Sequence, residues 1–267
     1  CKIFAEPFYQ WAAPGNWQPF SPPAPAFGPS VAQFQLYEKR SATREMSKAE
    51  IKAMLEAFRQ ATINLREAGF DGIMIHAAHG AILEQFLSPY FNRRTDEYGE
   101  SLDNRMRLLI EELEVVREAA AGKMAVGMRF NCDQLLEGGY HTKEAYQILK
   151  KIADRGLLDF VDLDIAMEPD QFYIGMPPVF AEPLLYKPYV EAVRGAAGKV
   201  PVLSVLGRLT SIAEAEQTIA AGICDMVGAA RAIIKMLGFA GPGYEDALAE
   251  QLQDGDDQTA RETLHAL

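Results

Sequence analysis

The sequence predicts an α/β fold with a parallel β-sheet, and two observations lead to that prediction. Six short apolar runs rich in β-branched or aromatic residues recur along the chain, at 2–7, 72–77, 124–131, 160–165, 200–206 and 225–230. Amphipathic helical stretches separate most of them, at 47–69, 101–122, 142–156, 185–198 and 211–222. Because the runs are apolar on both faces and alternate with helices, they suit buried parallel strands joined by right-handed crossovers.

The ends of the predicted helices carry the expected capping residues. Ser47 and Glu50 form the capping-box pattern at the start of the first helix. A glycine follows four of the helices at the position where a left-handed C-cap is favoured, namely Gly69, Gly122, Gly156 and Gly222. These signals support the alternation of strands and helices.

The strand count leaves two architectures open. A closed (β/α)8 TIM barrel needs eight strands, whereas the sequence offers six. The chain is therefore either a doubly wound six-stranded sheet or a barrel whose first two βα units are absent from it, and the immediate start inside a strand favours the barrel. We predict a barrel domain over residues 1–236, with strands three to eight, and a C-terminal helical tail over 237–267. Residues 8–46, rich in proline and aromatic residues, are predicted to form a long functional loop.

Composition argues against several classes of partner. The 267 residues hold 26 Lys and Arg against 37 Asp and Glu, a net charge of −11, which disfavours binding to nucleic acid or to an anionic membrane. No 18-residue apolar run or secretion leader is present. Cys1, Cys132 and Cys224 are too few and too widely spaced for a disulfide framework. A cytoplasmic protein acting on a small molecule is the expectation.

Two histidines stand at the end of the second predicted strand. His76 and His79 lie where barrel active sites are built, and an imidazole pair there can donate hydrogen bonds to a carbonyl, nitro or carboxylate oxygen. No third ligand accompanies H-x-x-H, so no metal site is predicted. The alternative is that both histidines only pack at the strand end. The charged run over 93–105 is expected to be a salt-bridged surface loop.

A long stretch then resembles a known family. The segment AGFDGIMIHAAHG, followed by LEQFLSP and NRRTDEYGESLDNRMR, is similar to the central signature of the Old Yellow Enzyme family of FMN-dependent oxidoreductases. KIFAEPF, VGMRFN, PVLSVLGRLT and AEQTIAAGICDMVGAARAII extend the resemblance over residues 1 to about 236. It implies a (β/α)8 barrel, FMN as cofactor and NAD(P)H as reductant.

The resemblance assigns roles to individual positions. His76 and His79 match the pair that binds the activating oxygen of the substrate, and Arg129 matches the arginine near the flavin N1 and C2 oxygen. The residues that match the phosphate site are Gly207, Arg208, Gly228, Ala229, Ala230 and Arg231. Arg231 stands in the first turn of a predicted helix, where a cation is disfavoured unless an anion binds nearby.

Two positions depart from the family pattern. Glu6 stands where the family has a glutamine that hydrogen-bonds the flavin, so this side chain is expected to be protonated or displaced. Ala81 stands where many relatives have a tyrosine that protonates the substrate, and alanine cannot supply a proton. Tyr9, Tyr140 and Tyr173 are candidate replacements on predicted mouth loops.

The sequence thus predicts an FMN-dependent enzyme that reduces activated alkenes, such as α,β-unsaturated carbonyl compounds, with NAD(P)H. One alternative is oxidation of N-methyl amines, because GAARAII and VDLDIAMEPDQFYIGMPPVF resemble the trimethylamine dehydrogenase-like branch of the family. The other is a non-catalytic partner subunit derived from the barrel. A homo-oligomer or a complementary chain that supplies the missing strands is a further expectation, because open sheet edges invite pairing.

Overall fold

The computed structural model describes residues 2–7, 26–31, 33–36, 39–166, 172–178 and 180–230. Its strands are β1 (Phe4–Ala5), β2 (Ala26–Gly28), β3 (Gln33–Leu36), β4 (Lys39–Glu45), β5 (Gly72–Ala77), β6 (Ala125–Asn131), β7 (Phe160–Asp164), β8 (Val202–Ser204) and β9 (Met226–Val227). Its helices are α1 (Lys48–Glu67), α2 (Ile82–Leu87), α3 (Leu102–Arg105), α4 (Arg107–Ala120), α5 (Thr142–Ala153), α6 (Phe172–Gly175), α7 (Lys187–Arg194) and α8 (Ile212–Ala220), with a 3₁₀ turn at Gly195–Ala197. The predicted tail over 237–267 lies outside the described residues.

A six-stranded parallel sheet carries the fold. Its strand order is β1-β5-β6-β7-β8-β9, so neighbours in the sheet follow one another along the chain in the order that a (β/α)8 barrel requires. All six predicted strands are present. The α/β prediction with a parallel sheet is therefore confirmed.

Contact between two aromatic rings shows that this sheet is curled. Phe4 on β1 and Phe160 on β7 pack edge to face with ring centroids 5.6 Å apart. Two strands, β5 and β6, separate them in the sheet, so a flat arrangement would hold them about 14 Å apart. Glycines on the intervening strands leave the room, because a Cβ at Gly72 would lie 2.1 Å from the Phe4 ring and one at Gly127 would lie 2.1 Å from the Phe160 ring. The concave face is thus the interior of a partial barrel.

The prediction of a long loop over residues 8–46 is wrong for the second half of that range. β2, β4 and β3 form a separate three-stranded sheet, in which β2 runs parallel to β4 and β3 antiparallel to it. The sequence KRSATRE of β4 has no apolar alternation, so periodicity gave no strand signal there. The backbone N–H of Met46 donates to Gly28 O over 2.9 Å, which joins this sheet to the start of α1.

The charged segment after α2 is also less exposed than predicted. Arg94 is 4% exposed, donates to the carbonyl oxygens of Pro29 and Met46 at 3.0 and 2.7 Å, and pairs with Asp96 at 2.6 Å. Arg105 is 7% exposed and donates to Leu87 O at 2.9 Å. These buried arginines therefore connect loops by hydrogen bonds to backbone carbonyl oxygens, because each guanidinium has enough N–H donors for several acceptors.

None of the helices in the described ranges is long and apolar enough to cross a membrane. The same ranges hold no group of three or more His, Cys, Asp or Glu side chains placed to bind a metal ion.

A buried glutamate on α4 leads to a stability prediction. Glu112 is 0% exposed, and neither of its carboxylate oxygens has a hydrogen-bond partner among the described residues. Burial raises the pKa of this side chain well above its ordinary value, so the folded protein keeps a proton that the unfolded chain loses above about pH 4.3. The free energy of unfolding must then fall as the pH rises above the pKa of the unfolded chain. We expect Glu112→Leu to stabilise the protein at pH 7 by roughly 1–3 kcal/mol.

Urea unfolding of Glu112→Leu and the wild type between pH 4 and pH 7.5 measures this effect. The exposed neighbour Glu114 provides a control, since Glu114→Leu removes a carboxylate from the same helix without a burial cost. Equal stability of Glu112→Leu and the wild type across the whole range would show that Glu112 is solvated.

Candidate active site

The predicted site residues come together on the concave face of the sheet. His76 on β5 lies directly opposite Arg129 on β6, which lies directly opposite Asp162 on β7. Directly opposed residues of neighbouring strands point to the same side. These three side chains therefore form one row near the carboxyl ends of the strands, which is where barrel enzymes place their active sites.

Glu6 follows β1 and contacts the first histidine. A hydrogen bond of 2.5 Å joins His76 Nδ1 to Glu6 Oε1, and the His76 side chain is 12% exposed. Burial lowers the pKa of His76 and outweighs the raising effect of Glu6. The departure from the family pattern at Glu6 thus becomes a contact that holds the His76 ring through Nδ1.

Asp164 contacts both His79 and Arg129. It is 0% exposed, accepts from Arg129 Nε at 3.0 Å and lies 3.2 Å from His79 Nε2. The contact to His79 is close enough for charge attraction but lies outside hydrogen-bond geometry, so His79 Nε2 has no hydrogen-bond partner among the described residues. Burial alone would raise the pKa of Asp164, but His79 and Arg129 lower it below its ordinary value. Asp164 is therefore a carboxylate at neutral pH.

Asp162 differs from Asp164 although it stands two residues away on the same strand. Burial, with help from Asp164 and Glu6 and against the effect of Arg129, raises the pKa of Asp162 to about 7. Its Oδ2 lies 3.4 Å from Arg129 Nε, while its buried Oδ1 has no partner in the part of the chain that the structure describes. Glu6, Asp162 and Asp164 are three carboxyl groups around a single arginine, so the site carries an excess of acid.

Of the three candidate proton donors, only Tyr140 has a side chain within the described residues. Ala81 is buried and is the N-cap residue of α2. Tyr140 is 1% exposed, and its hydroxyl donates to Glu84 Oε1 over 3.1 Å; burial raises its pKa well above the ordinary value. Tyr140 is therefore a packed, hydrogen-bonded side chain, and its prediction as a mouth-loop acid is wrong. Tyr9 and the side chain of Tyr173 lie outside the described residues.

The loop after β8 presents backbone donors. Leu206, Gly207 and Arg208 all adopt left-handed conformations, with φ of 51°, 59° and 71°. Their carbonyl oxygens accept hydrogen bonds of 3.1 to 3.4 Å from the N–H groups of residues 184–186. The N–H groups of Gly207 and Arg208 donate to no acceptor within the described ranges. Successive residues of one handedness form a helical turn, whose unbonded N–H groups point in one direction and can bind an anion.

The loop after β9 adds to this arrangement. β8 and β9 are neighbours, and the N–H of Gly228 donates to Ser204 O over 3.0 Å. The N–H groups of Ala229 and Ala230, by contrast, find no acceptor in the described chain. The four N–H groups that have no acceptor in the described ranges lie at the ends of adjacent strands and suit a phosphate, so this end of the site fits the phosphate of FMN. The Arg208 guanidinium donates to Ala181 O, and Arg231 lies outside the described residues.

Gly207 offers a test of this loop. A Cβ at Gly207 would lie 2.5 Å from the Tyr186 ring, and the φ of 59° disfavours any side chain. Gly207→Ala should therefore distort the loop and weaken FMN binding by roughly tenfold or more. Gly156 has a similar φ, 68°, with no atom within 4 Å of its Cβ position, so Gly156→Ala is the matched control.

Quenching of FMN fluorescence during titration measures the two affinities. The expected result is weakened binding in Gly207→Ala alone. Equal affinities for the two variants would show that the loop does not bind the phosphate.

Comparison with known proteins places the chain in a family. Residues 14–241 match the NADH:flavin oxidoreductase / NADH oxidase family. The chain belongs to that family. Among curated members of the family, an NADPH dehydrogenase from Geobacillus sp. (strain WCH70) is 33% identical over 208 residues, which cover 78% of this chain and 57% of the relative. The cinnamate reductase of Clostridium sporogenes is 29% identical over 206 residues, which cover 72% of this chain and 30% of the relative.

Solved structures agree with this membership in the NADH:flavin oxidoreductase family. Histamine dehydrogenase from Rhizobium sp. 4-9 matches 95% of this chain with a TM-score of 0.77 and 28% identity, over 35% of its own length. Morphinone reductase matches 79% of this chain with a TM-score of 0.60 and 26% identity, over 57% of its length. The chain spans 29% of the NADH oxidase of Thermoanaerobacter brockii and 57% of the Geobacillus NADPH dehydrogenase. The prediction of absent barrel units is consistent with these shares.

Membership in the NADH:flavin oxidoreductase family supports FMN as cofactor and NAD(P)H as reductant. The structure brings His76, His79, Arg129 and Glu6 into one cluster. It also adds Asp162, Asp164 and Glu84, which sequence reasoning missed. Two aspartates inside the otherwise apolar run FVDLD were the available signal, because charged side chains on the inner face of a buried strand need a reason to be there.

Proposed function

We propose that the protein is an FMN-dependent oxidoreductase that uses NAD(P)H to reduce an activated alkene, such as an α,β-unsaturated carbonyl compound. One observation carries the proposal. The rings of His76 and His79 lie 5.5 Å apart at the carboxyl end of β5, and Arg129 lies beside them on the adjacent parallel strand β6. Two imidazoles at this separation can both donate to one substrate oxygen.

The residues of the chain have separate tasks in this proposal. Glu6 holds the ring of His76 through Nδ1, and Asp164 attracts the ring of His79, so both imidazoles are oriented before substrate binds. Hydrogen bonds from both rings to a carbonyl oxygen withdraw electrons from the conjugated double bond and stabilise the negative charge that forms on the oxygen.

The cofactor would be held by groups from three strand ends. Arg129 would lie at the ring, and the phosphate would bind at Gly207, Arg208, Gly228, Ala229, Ala230 and Arg231. FMN, when bound, supplies the hydride chemistry that no side chain can provide. The N–H groups of the two loops that have no acceptor within the described part of the chain support this assignment.

The names of relatives favour alkene reduction. The Clostridium sporogenes protein is named cinnamate reductase, and morphinone reductase is among the solved structures that are more than 25% identical to this chain. The substrate of the present protein remains part of the proposal, because fold and cofactor do not determine it.

The acid in the site favours a second candidate, oxidation of an amine. Three carboxyl groups surround Arg129, and a protonated amine would find an acceptor at Asp162 Oδ1, which has no partner among the residues that the structure describes. Histamine dehydrogenase and 6-hydroxypseudooxynicotine amine oxidase are also among the structures that resemble this chain, with TM-scores of 0.77 and 0.71.

Anaerobic half-reactions separate the two candidates. The protein is loaded with FMN, reduced with NADPH, and mixed with 2-cyclohexenone; in parallel, the oxidised protein is mixed with histamine. Reoxidation by the enone without bleaching by the amine is the result that alkene reduction predicts. Bleaching by the amine, lost in Asp162→Asn, with no reoxidation by the enone would replace it with amine oxidation.

A further proposal concerns the partner of the sheet. β1 and β9 are its two edges, and Ile3 and Phe4 beside one edge are 59% and 45% exposed. Further βα units, from a longer form of the chain or from a second chain, would pair with these edges and cover the apolar side chains. Light scattering of the purified chain tests for self-association through them.

A further inference from the structure

The turn that carries His79 is held by side chains that follow it. His79 and Gly80 both have positive φ, 53° and 75°. The N–H of Gly80 donates to Glu84 Oε2 over 2.6 Å, and Gln85 Nε2 donates to Gly80 O over 2.6 Å. The backbone N–H and C=O groups of Gly80 are therefore both hydrogen-bonded to side chains of α2. A left-handed histidine is unfavourable on its own, so these bonds maintain the turn.

Glu84 also connects this turn to the loop after β6. Its second oxygen, Oε1, accepts from Asn131 Nδ2 at 2.7 Å, from Tyr140 Oη at 3.1 Å and from Gln134 Nε2 at 3.2 Å. The side chain is 0% exposed. Four donors around one fully buried carboxyl group match the acceptor-only, ionised form. Burial raises the pKa of Glu84 and the donors oppose that effect, leaving it raised from its ordinary value.

The charged and titratable groups around the His79 ring come from three strands and from α2. Asp164 on β7 lies 3.2 Å from Nε2, Arg129 on β6 is a nearby cation, His76 on β5 has its ring centroid 5.5 Å away, and Glu84 on α2 adds a second negative charge. Burial lowers the pKa of His79, Asp164 and Glu84 raise it, and the result is a raised value. Glu84 thus acts on His79 through both geometry and charge.

We propose that Glu84 is a positioning residue of the active site, which holds the His79–Gly80 turn in place and keeps a buried negative charge beside the His79 ring. The proposal rests on the proposed function only for its catalytic consequence, because the contacts exist without substrate. A protonated His79 can donate from both nitrogens, so a group that favours this form helps the ring bind a substrate oxygen.

NMR titration of His79 tests the proposal without an activity assay. The protein is labelled at histidine ¹³Cε1, and the four histidine signals are assigned by substitution. Glu84→Gln keeps the shape and removes the charge, whereas Glu84→Asp keeps the charge. We expect His79 to titrate at lower pH in Glu84→Gln than in the wild type, and Glu84→Asp to restore part of the difference.

Glu112→Gln is the matched control, because Glu112 is equally buried but on α4, outside the site. The titration of His79 should be unchanged in it. If alkene reduction is the activity, kcat/KM of Glu84→Gln for the enone should fall roughly tenfold, with FMN affinity unchanged. Absence of enone turnover in the wild type would remove the proposed function and leave the titration result standing.

Two outcomes would overturn the role of Glu84. One is an unchanged His79 titration in Glu84→Gln, and the other is an equal shift in Glu112→Gln. Should Glu84→Gln fail to fold, hydrogen exchange on the wild type gives the decision. The Gly80 amide is expected to exchange slowly because it is bound to Glu84, and exchange as fast as in an open loop would contradict the proposal.

Discussion

Replacement of Arg129 by leucine is expected to destabilise the protein by roughly 3–5 kcal/mol and to abolish FMN binding. The guanidinium contacts Asp164 through two nitrogens and lies 3.4 Å from Asp162. Both carboxyl groups are buried, so removal of the cation leaves them without compensation. Urea unfolding and FMN titration measure the two effects.

The pH dependence of the same variant follows from Asp164. Arg129 and His79 lower the pKa of Asp164 below its ordinary value, so the stabilisation is complete above about pH 4 and is lost as the pH falls toward the folded pKa. The difference in free energy of unfolding between the wild type and Arg129→Leu should therefore become smaller as the pH falls. Arg117→Leu is the control, since its ion pair with Asp159 is solvent-exposed and contributes at most about 1 kcal/mol. Equal stability losses in the two variants would show that the carboxyl groups around Arg129 are hydrated.

Substitution of His79 or His76 by alanine is expected to lower kcat/KM for an enone by roughly 100-fold or more each, while the protein still folds and binds FMN. Each ring is proposed to donate to the substrate oxygen, and loss of one donor leaves charge on that oxygen poorly stabilised. Anaerobic reoxidation of the reduced protein by 2-cyclohexenone measures this step separately from reduction by NADPH.

His141→Ala is the control for the histidine variants. Its ring lies on the loop after β6, pairs with Asp133 at 2.9 Å, and is 57% exposed. The control should retain the wild-type rate. A wild-type rate in His76→Ala and His79→Ala would contradict the assigned role of the pair.

Much of the fold could be predicted from the sequence because a parallel sheet leaves a strong local pattern. The run Gly72–Ala77 matches β5 at both ends, and the other inner strands lie within their predicted runs. The sheet of β2, β3 and β4 could not be predicted, since β2 and β3 are short, β4 is polar, and the three strands pair only through tertiary context. The break between α3 and α4 at Met106 gave no glycine or proline signal.

The site was predictable only in part, for a physical reason. The position of His76 and His79 follows from the strand end, but the charge around them depends on side chains that approach from other strands. Asp164 lies 85 residues from His79 in the sequence and 3.2 Å from it in space. In the sequence, Glu84 is one polar residue of an amphipathic segment. Only the folded structure brings together the four donors that hydrogen-bond its carboxylate. Burial and pairing of charge are tertiary properties, so the acid excess appears only in the folded chain.

The most direct test of the account is the visible absorption spectrum of the purified protein, recorded after addition of FMN and removal of free cofactor, and again after anaerobic NADPH. We expect bound flavin bands that bleach with NADPH, and weaker bands in Gly207→Ala. A colourless protein that takes up no FMN would contradict the central claim that this face of the sheet is a flavin-dependent active site.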